Sequence, residues 1–153
     1  TGWRIGYAGG PKEIIKAIRK VQSQSTSNPS SISQAAAVEA LNGTQSFIKV
    51  RSKEFKKRRD FVVSSLNKIR GINCLTPNGA FYVFPSCKNL LGKKTKLKTD
   101  SEFVEKLLEK ANVAVVQGSA FGLPGYFRIS YATSMQKLKV AMERIKSFCN
   151  NLN

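Results

Sequence analysis

Any chemistry in this chain has to be done without an imidazole. Its 153 residues include no histidine, which excludes a Ser-His or Cys-His nucleophile pair within the chain, imidazole acid-base chemistry and His-ligated zinc or haem iron. Lysine, arginine, tyrosine, serine, cysteine and the carboxylates remain. Arg128 lies in FRISYATS (127–134), where strand alternation puts Phe127, Ile129 and Tyr131 on one face and Arg128, Ser130 and Ala132 on the other. The second face is small and polar, with room for a ligand beside the guanidinium. Arg4, in TGWRIGY (1–7), stands between Gly2 and Gly6, which suit a strand that a backbone or a ligand approaches closely. Read from its neighbours alone, either arginine is an anion ligand or an ordinary arginine on an exposed strand edge.

The three cysteines, Cys74, Cys87 and Cys149, are odd in number, far apart and form no CxxC. Neither a disulfide framework nor a zinc ribbon is expected, and no metal site; reduced, packed thiols in a cytoplasmic protein are. No apolar run approaches the ~20 residues that span a bilayer, and no charged-then-apolar leader opens the chain. The chain starts at Thr1, without Met, and enters a strand-like TGWRIGYAGG directly, so it reads as a piece of something longer. With 41% hydrophobic residues it can bury a core.

The charge is lopsided: 26 Lys plus Arg face 9 Asp plus Glu, a net +17. It is concentrated over residues 49–59 (Lys49, Arg51, Lys53, Lys56, Lys57, Arg58, Arg59) and 88–98 (Lys88, Lys93, Lys94, Lys96, Lys98). Such runs can neutralise phosphates, so a basic module binding nucleic acid or an anionic surface is the rival class. Aromatic residues are not interleaved with the basic ones, however, and no zinc-finger, KH or RNP pattern is present. A solvated basic face accounts for the runs, and a nucleic-acid partner is not expected.

The elements that must position these residues follow from periodicity and punctuation. Pro11 suits the start of a helix reaching about Gln22, with Ile14, Ile18 and Val21 as its stripe. Polar residues 23–31, broken by Pro29, predict a loop, from which Ser30 or Ser31 can cap a second helix ended by Gly43. A long helix is predicted from about Gln45 to Ile69, with Ile48, Phe55, Val62 and Ile69 at sevens and Leu66 widening the stripe. Short strands are predicted at 72–76, 80–84, 114–117 and 126–132. An exposed basic loop is expected over 88–99, then a helix from Asp100 or Ser101 burying Phe103, Val104, Leu107 and Leu108, and a closing helix from Met135. The order implies a mixed α/β class.

Five stretches together carry more than composition: TGWRIGY, SQSTSNPSSISQAAAVEAL (23–41), NGAFYVFP (78–85), VAVVQGSAFG (113–122) and FRISYATS. In register over essentially the whole chain they resemble the C-terminal part of class I pyridoxal-phosphate-dependent aminotransferases, nearest the bacterial aspartate aminotransferases. The resemblance implies an aspartate aminotransferase-like α/β fold: the end of the large cofactor-binding domain over 1–44, a linking helix over 45–70, and a small α/β domain over 71–153. It implies pyridoxal 5'-phosphate as cofactor, amino acids and 2-oxo acids as substrates, and a homodimer. Arg4 matches the family position that binds the cofactor phosphate and Arg128 the one that binds the substrate α-carboxylate. Arginine suits both, because its planar fork makes paired charge-assisted hydrogen bonds and stays charged.

The family's catalytic lysine, which forms the Schiff base with the cofactor, falls five residues upstream of Thr1. None of the 18 lysines here matches it, so the 153 residues alone are expected to be inactive. Ser27 and Asn28 resemble a loop that approaches the partner's active site; Tyr7 and Tyr82 read as core aromatics, and Gly79 as a turn residue that could keep a substrate path open. Some aspartate aminotransferases carry an arginine in the SQSTSNP region for the substrate's distal carboxylate. Ser23 and Gln24 stand in that neighbourhood here, so recognition of a dicarboxylic substrate is expected to come from elsewhere, and the preferred amino acid stays open.

Overall fold

A computed structural model describes residues 2–152. Thr1, which opens the TGWR motif, and Asn153 lie outside the described residues. The chain forms two compact units, Thr1–Ile48 and Lys49–Asn153.

The first unit holds α1 (Lys12–Ser25) and α2 (Ser31–Asn42). Pro11 stands immediately before α1, and its carbonyl accepts the first helical bond from Ile15 N–H at 3.0 Å. The helix runs through Ser23, Gln24 and Ser25, where a loop was expected. Ser23 and Ser25 turn their hydroxyls onto the carbonyls of Lys20 and Val21, so these polar residues bond within the helix instead of breaking it. Ser30 is the N-cap of α2 by position, without a side-chain capping bond. Ile14, Ile18 and Val21 share one face of α1, yet all three are exposed. Residues 4–10 form no strand, contrary to the reading of TGWRIGYAGG. A strand needs a neighbour to take up its backbone groups, and none of the described strands pairs with this segment. It is tied instead by Ser33, whose buried hydroxyl donates to the Trp3 carbonyl at 2.8 Å.

The second unit contains most of α3 (Ser46–Asn67), then β1 (Tyr82–Val83), α4 (Asp100–Ala111), β2 (Val116–Gln117), β3 (Phe127–Ser130) and α5 (Met135–Asn150). The sheet has the order β1-β3-β2 and is antiparallel throughout; Tyr82 faces Ser130 across one edge and Val116 faces Arg128 across the other. The strand expected at 72–76 shrinks to a bridge between Asn73 and Ser86.

The helix ends follow side-chain chemistry. Thr99 caps α4 by accepting from Glu102 N–H at 3.1 Å, while the Glu102 carboxylate accepts from Lys98 N–H at 2.6 Å. This reciprocal arrangement is a close variant of the capping box. Asn112 ends α4 in the left-handed conformation (φ 53), which asparagine tolerates. Ser134 caps α5 through Lys137 N–H.

Only the second half of the α3 stripe reaches the core: Val62 and Leu66 are buried, Phe55 is half-buried and Ile48 is exposed, and Ile69, expected inside the helix, is buried just beyond its end at Asn67. Val62 and Leu66 pack with Val83, Phe103, Leu107, Phe127, Ile129, Leu138 and Ile145. Phe103 anchors the centre, 5.1 Å from the Phe127 ring and 5.6 Å from that of Phe148 between centroids. Each such side chain contributes roughly 1.5–3 kcal/mol on burial. Leu108, expected inside, is exposed, because it follows Leu107 by one residue and so leaves the buried face of α4. The stretch 88–99 is not wholly exposed: Leu90 and Leu97 are buried around a 3-10 turn at Lys88–Leu90.

Candidate functional site

Arg128 sits on β3, the middle strand, so its backbone is flanked by strands on both sides. The exposed-edge alternative therefore falls away. Burial alternates as the residue types require: Phe127 and Ile129 are buried, Arg128 is half-buried and Ser130 is exposed. The guanidinium carbon lies 4.4 Å from the Tyr82 ring centroid and 4.5 Å from that of Phe121. Cation–π contacts of this kind contribute about 0.5–2 kcal/mol each. Among the described residues no carboxylate is paired with Arg128. A half-buried, permanently charged fork without an acidic partner is suited to hold an anion.

Phe121 was not among the residues singled out from sequence, although it stands in the SAFG of VAVVQGSAFG. It ends the 3-10 turn Gly118–Phe121. That turn depends on two glycines: Gly122 has φ 74, and a Cβ on Gly118 would strike the carbonyl oxygens of Leu123 and Tyr126. The Phe121 ring meets Phe84 edge-on at 5.9 Å, and Phe84 stacks on Tyr126 at the same separation. Lys88 closes the row, its Nζ 4.9 Å from the Tyr126 centroid. Tyr82 was read as a core aromatic; it is half-buried and serves as a wall for Arg128.

Arg4 belongs to the other unit, with its side chain exposed and its backbone in the left-handed region (φ 50). Non-glycine residues enter that region rarely. It borders a cleft of about 610 Å³ shared with Trp3, Gly6, Tyr7, Ala37 and Leu41. No acidic partner is paired with it among the described residues. An open guanidinium beside a cleft whose lining holds no acidic side chain fits a phosphate group. Tyr7, also read as a core aromatic, is 81% exposed. Ser27 too is left-handed (φ 61), in an exposed loop with Asn28. Around Gly79 the space is open, and the left-handed residue of its turn is Ala80 (φ 59).

The cysteines are buried away from this chemistry. Burial pushes the Cys74 thiol up to about 11, and Cys87 and Cys149 to about 12, with nearby Asp100 adding to the rise at Cys87. All three stay protonated at neutral pH and are not nucleophiles. Among the described residues no group of three or more metal-ligating side chains is present.

A family model described as aminotransferase class I and II matches residues 1–145. An aspartate aminotransferase of Rhizobium meliloti (strain 1021) is 60% identical over 157 residues, covering 100% of this chain and 38% of its own length. A protein named probable aspartate/prephenate aminotransferase, from Rickettsia typhi, is 58% identical, covering 99% of this chain and 39% of its own. The crystal structure of the aspartate aminotransferase from Rhizobium meliloti superposes with a TM-score of 0.84 at 60% identity, over 97% of this chain and 38% of that one. The chain thus spans somewhat over a third of the length of the relatives it matches. Its α/β architecture is that of the corresponding part of those enzymes, and the chain belongs to the class I and II aminotransferases.

Proposed function

We propose that this chain is the C-terminal portion of a pyridoxal-phosphate-dependent aminotransferase that moves an amino group from aspartate, or another amino acid, to 2-oxoglutarate. Arg128 carries the reading: a guanidinium fixed on the central strand, bordered by two rings and without an acidic partner among the described residues. In this role its fork holds the α-carboxylate common to amino and 2-oxo acids, so both half-reactions use the same anchor. Arg4 holds the cofactor phosphate. When bound, pyridoxal phosphate supplies the electron sink that lets the amino group change carriers. The residues of this chain bind and orient, and no group in it matches the reactive lysine.

In the whole protein, residues 1–44 end the large domain, 45–70 form the linking helix and 71–153 the small domain. The exposed face of Ile14, Ile18 and Val21 supports a larger assembly, because an apolar stripe of this kind is ordinarily covered by protein. A cytoplasmic homodimer fits the family. No helix among the described residues is long and apolar enough to cross a membrane.

The basic run on α3 does not favour the nucleic-acid reading. Lys56 and Arg59 both pair with Asp60, at 2.6 and 2.7 Å, and Arg58 pairs with Glu54 at 3.2 Å. The full-length protein tests the proposal when assayed with aspartate and 2-oxoglutarate, following glutamate and oxaloacetate. Stoichiometric formation of both is expected. Failure to transfer an amino group from aspartate or any other common amino acid would overturn it.

A further inference from the structure

Asp100 is the one charged side chain in the core among the described residues, 3% exposed. As the first residue of α4 it would ordinarily face solvent and favour the positive end of the helix. Here Thr99 and Glu102 already serve the helix start, and the Asp100 carboxylate turns inward. Its Oδ2 accepts from the backbone N–H of Ser119, 19 residues further on, at 2.7 Å. Burial alone would raise its pKa. The Ser119 N–H and hydroxyl, its own N–H and the N–H of Gly125 more than offset this and hold the carboxyl below its usual range. Asp100 is thus a buried anion held by backbone N–H groups and the Ser119 hydroxyl, with no ion pair among the described residues, and a buried charge is kept ionised only where such donors are fixed in place.

Apart from its own N–H, those donors come from the loop that carries Phe121. Ser119 lies in its opening turn and Gly125 near its return to β3, with Phe121 between them, 4.5 Å from the Arg128 guanidinium. Backbone bonds within the loop (Gly118 N–H to the Tyr126 carbonyl at 2.7 Å, Leu123 N–H to the Gly118 carbonyl at 3.0 Å) fix its shape, and the Asp100 carboxylate ties that shape to the start of α4, while the Phe121 ring itself is 48% exposed.

We propose that Asp100 is a positioning residue for anion binding: by clasping the 118–125 loop through Ser119 it sets the Phe121 ring against Arg128 and so holds the guanidinium ready for a carboxylate. The inference rests on the assignment of Arg128 as the carboxylate anchor. It assigns Asp100 no contact with substrate, only control of the ring that borders the anchor. Removing the charge weakens the bond from Ser119 N–H and so loosens the tie between the loop and α4, which lets the Phe121 ring shift from the guanidinium and costs the fork part of its fixed orientation before a ligand arrives.

The test uses the full-length protein and its Asp100→Asn, Asp100→Glu, Phe121→Ala and Asp100→Asn/Phe121→Ala variants. Binding of succinate, an unreactive dicarboxylate, is measured by calorimetry, alongside KM and kcat for aspartate and retention of cofactor. Asp100→Asn is expected to weaken succinate and raise KM about five- to twentyfold, with kcat and cofactor retention within twofold. The double variant is expected to be no worse than Phe121→Ala alone, because both changes act through one ring; a loss of general stability would add to the Phe121 effect instead. Asp100→Glu keeps the charge but displaces it by a methylene, and a weakening of succinate by at least threefold is expected, so it carries the test if the asparagine variant does not fold. Succinate affinity unchanged in either folded variant, or additive effects in the double variant, would overturn the proposal. So would a wild-type protein that does not bind succinate. A protein that binds succinate through this network but transfers no amino group would sink the aminotransferase reading while leaving Asp100's role supported.

Discussion

At the scale of single residues, the two arginines differ in what removing them should do. In the full-length protein, Arg128→Ala is expected to raise KM for every carboxylate substrate by roughly 10- to 100-fold, the size of a lost charge-assisted hydrogen-bond pair. Arg128→Lys keeps the charge but not the fork, and is expected to recover only part of that loss. Arg4→Ala should leave substrate affinity of the loaded enzyme nearly unchanged and release cofactor more readily, read by its absorbance after gel filtration. If neither variant changes kinetics or retention, both assignments are wrong. Arg128 was legible because alternation along FRISYA placed it on the small, polar face. Phe121 was not legible as its neighbour, since an aromatic residue in a glycine-bounded turn shows nothing of the guanidinium that its ring borders at 4.5 Å and that the Tyr82 ring borders at 4.4 Å. Asp100 was read only as a helix start. The bond that redefines it comes from a backbone N–H, which every residue but proline possesses.

At the scale of elements, helices were legible from apolar periodicity and punctuation even where the chain does not cover the stripe: α1 forms although Ile14, Ile18 and Val21 are exposed, and α3 forms although only the second half of its seven-residue stripe is buried. The opening strand was not legible, because a strand's existence depends on a partner that TGWRIGY does not itself contain, and Leu108 differs from Leu107 only in which way it points. Caps were legible only in part: Gly43 does end α2, but Ser30 makes no side-chain capping bond, and α4 is capped by Thr99, one residue before the Asp100 or Ser101 expected to start it. Thr99→Ala is expected to lower stability by about 1 kcal/mol, read as a lower urea midpoint at unchanged slope. Tyr131→Phe removes the hydroxyl that donates to the Ala80 carbonyl at 2.9 Å and should cost a similar amount, near 1 kcal/mol. Ala80→Gly, at φ 59, should relieve backbone strain and raise the midpoint.

At the scale of the whole molecule, the three thiols make stability depend on pH in one direction. Their pKa values in the folded chain, about 11 to 12, lie above the ordinary 9.0. Above pH 9 the unfolded chain therefore holds fewer protons on its thiols than the folded one. Their contribution is fully present below pH 9 and is lost as pH rises through 9 toward 12. Denaturation midpoints measured from pH 8 to 11 should fall across that window, and the fall should shrink when the cysteines are replaced by serine or alanine. An unchanged slope in the replaced protein would contradict the burial of these thiols. Net charge bears on the same scale: any binding of this +17 chain to DNA at low salt is expected to disappear near physiological ionic strength.

The strand order carries a consequence for how the chain becomes structured. Both sheet pairings run through β3, and β1 and β2 never pair with one another, although β3 is the last of the three to be synthesised. Until Ser130 has left the ribosome, neither earlier strand has its partner, and Tyr82 waits for a neighbour 48 residues away in sequence. Sheet formation is then one late event rather than a progressive one. Arg128 and the two rings that border it assemble in that same step, so a chain stalled before β3 carries every loop of the carboxylate site and none of its geometry.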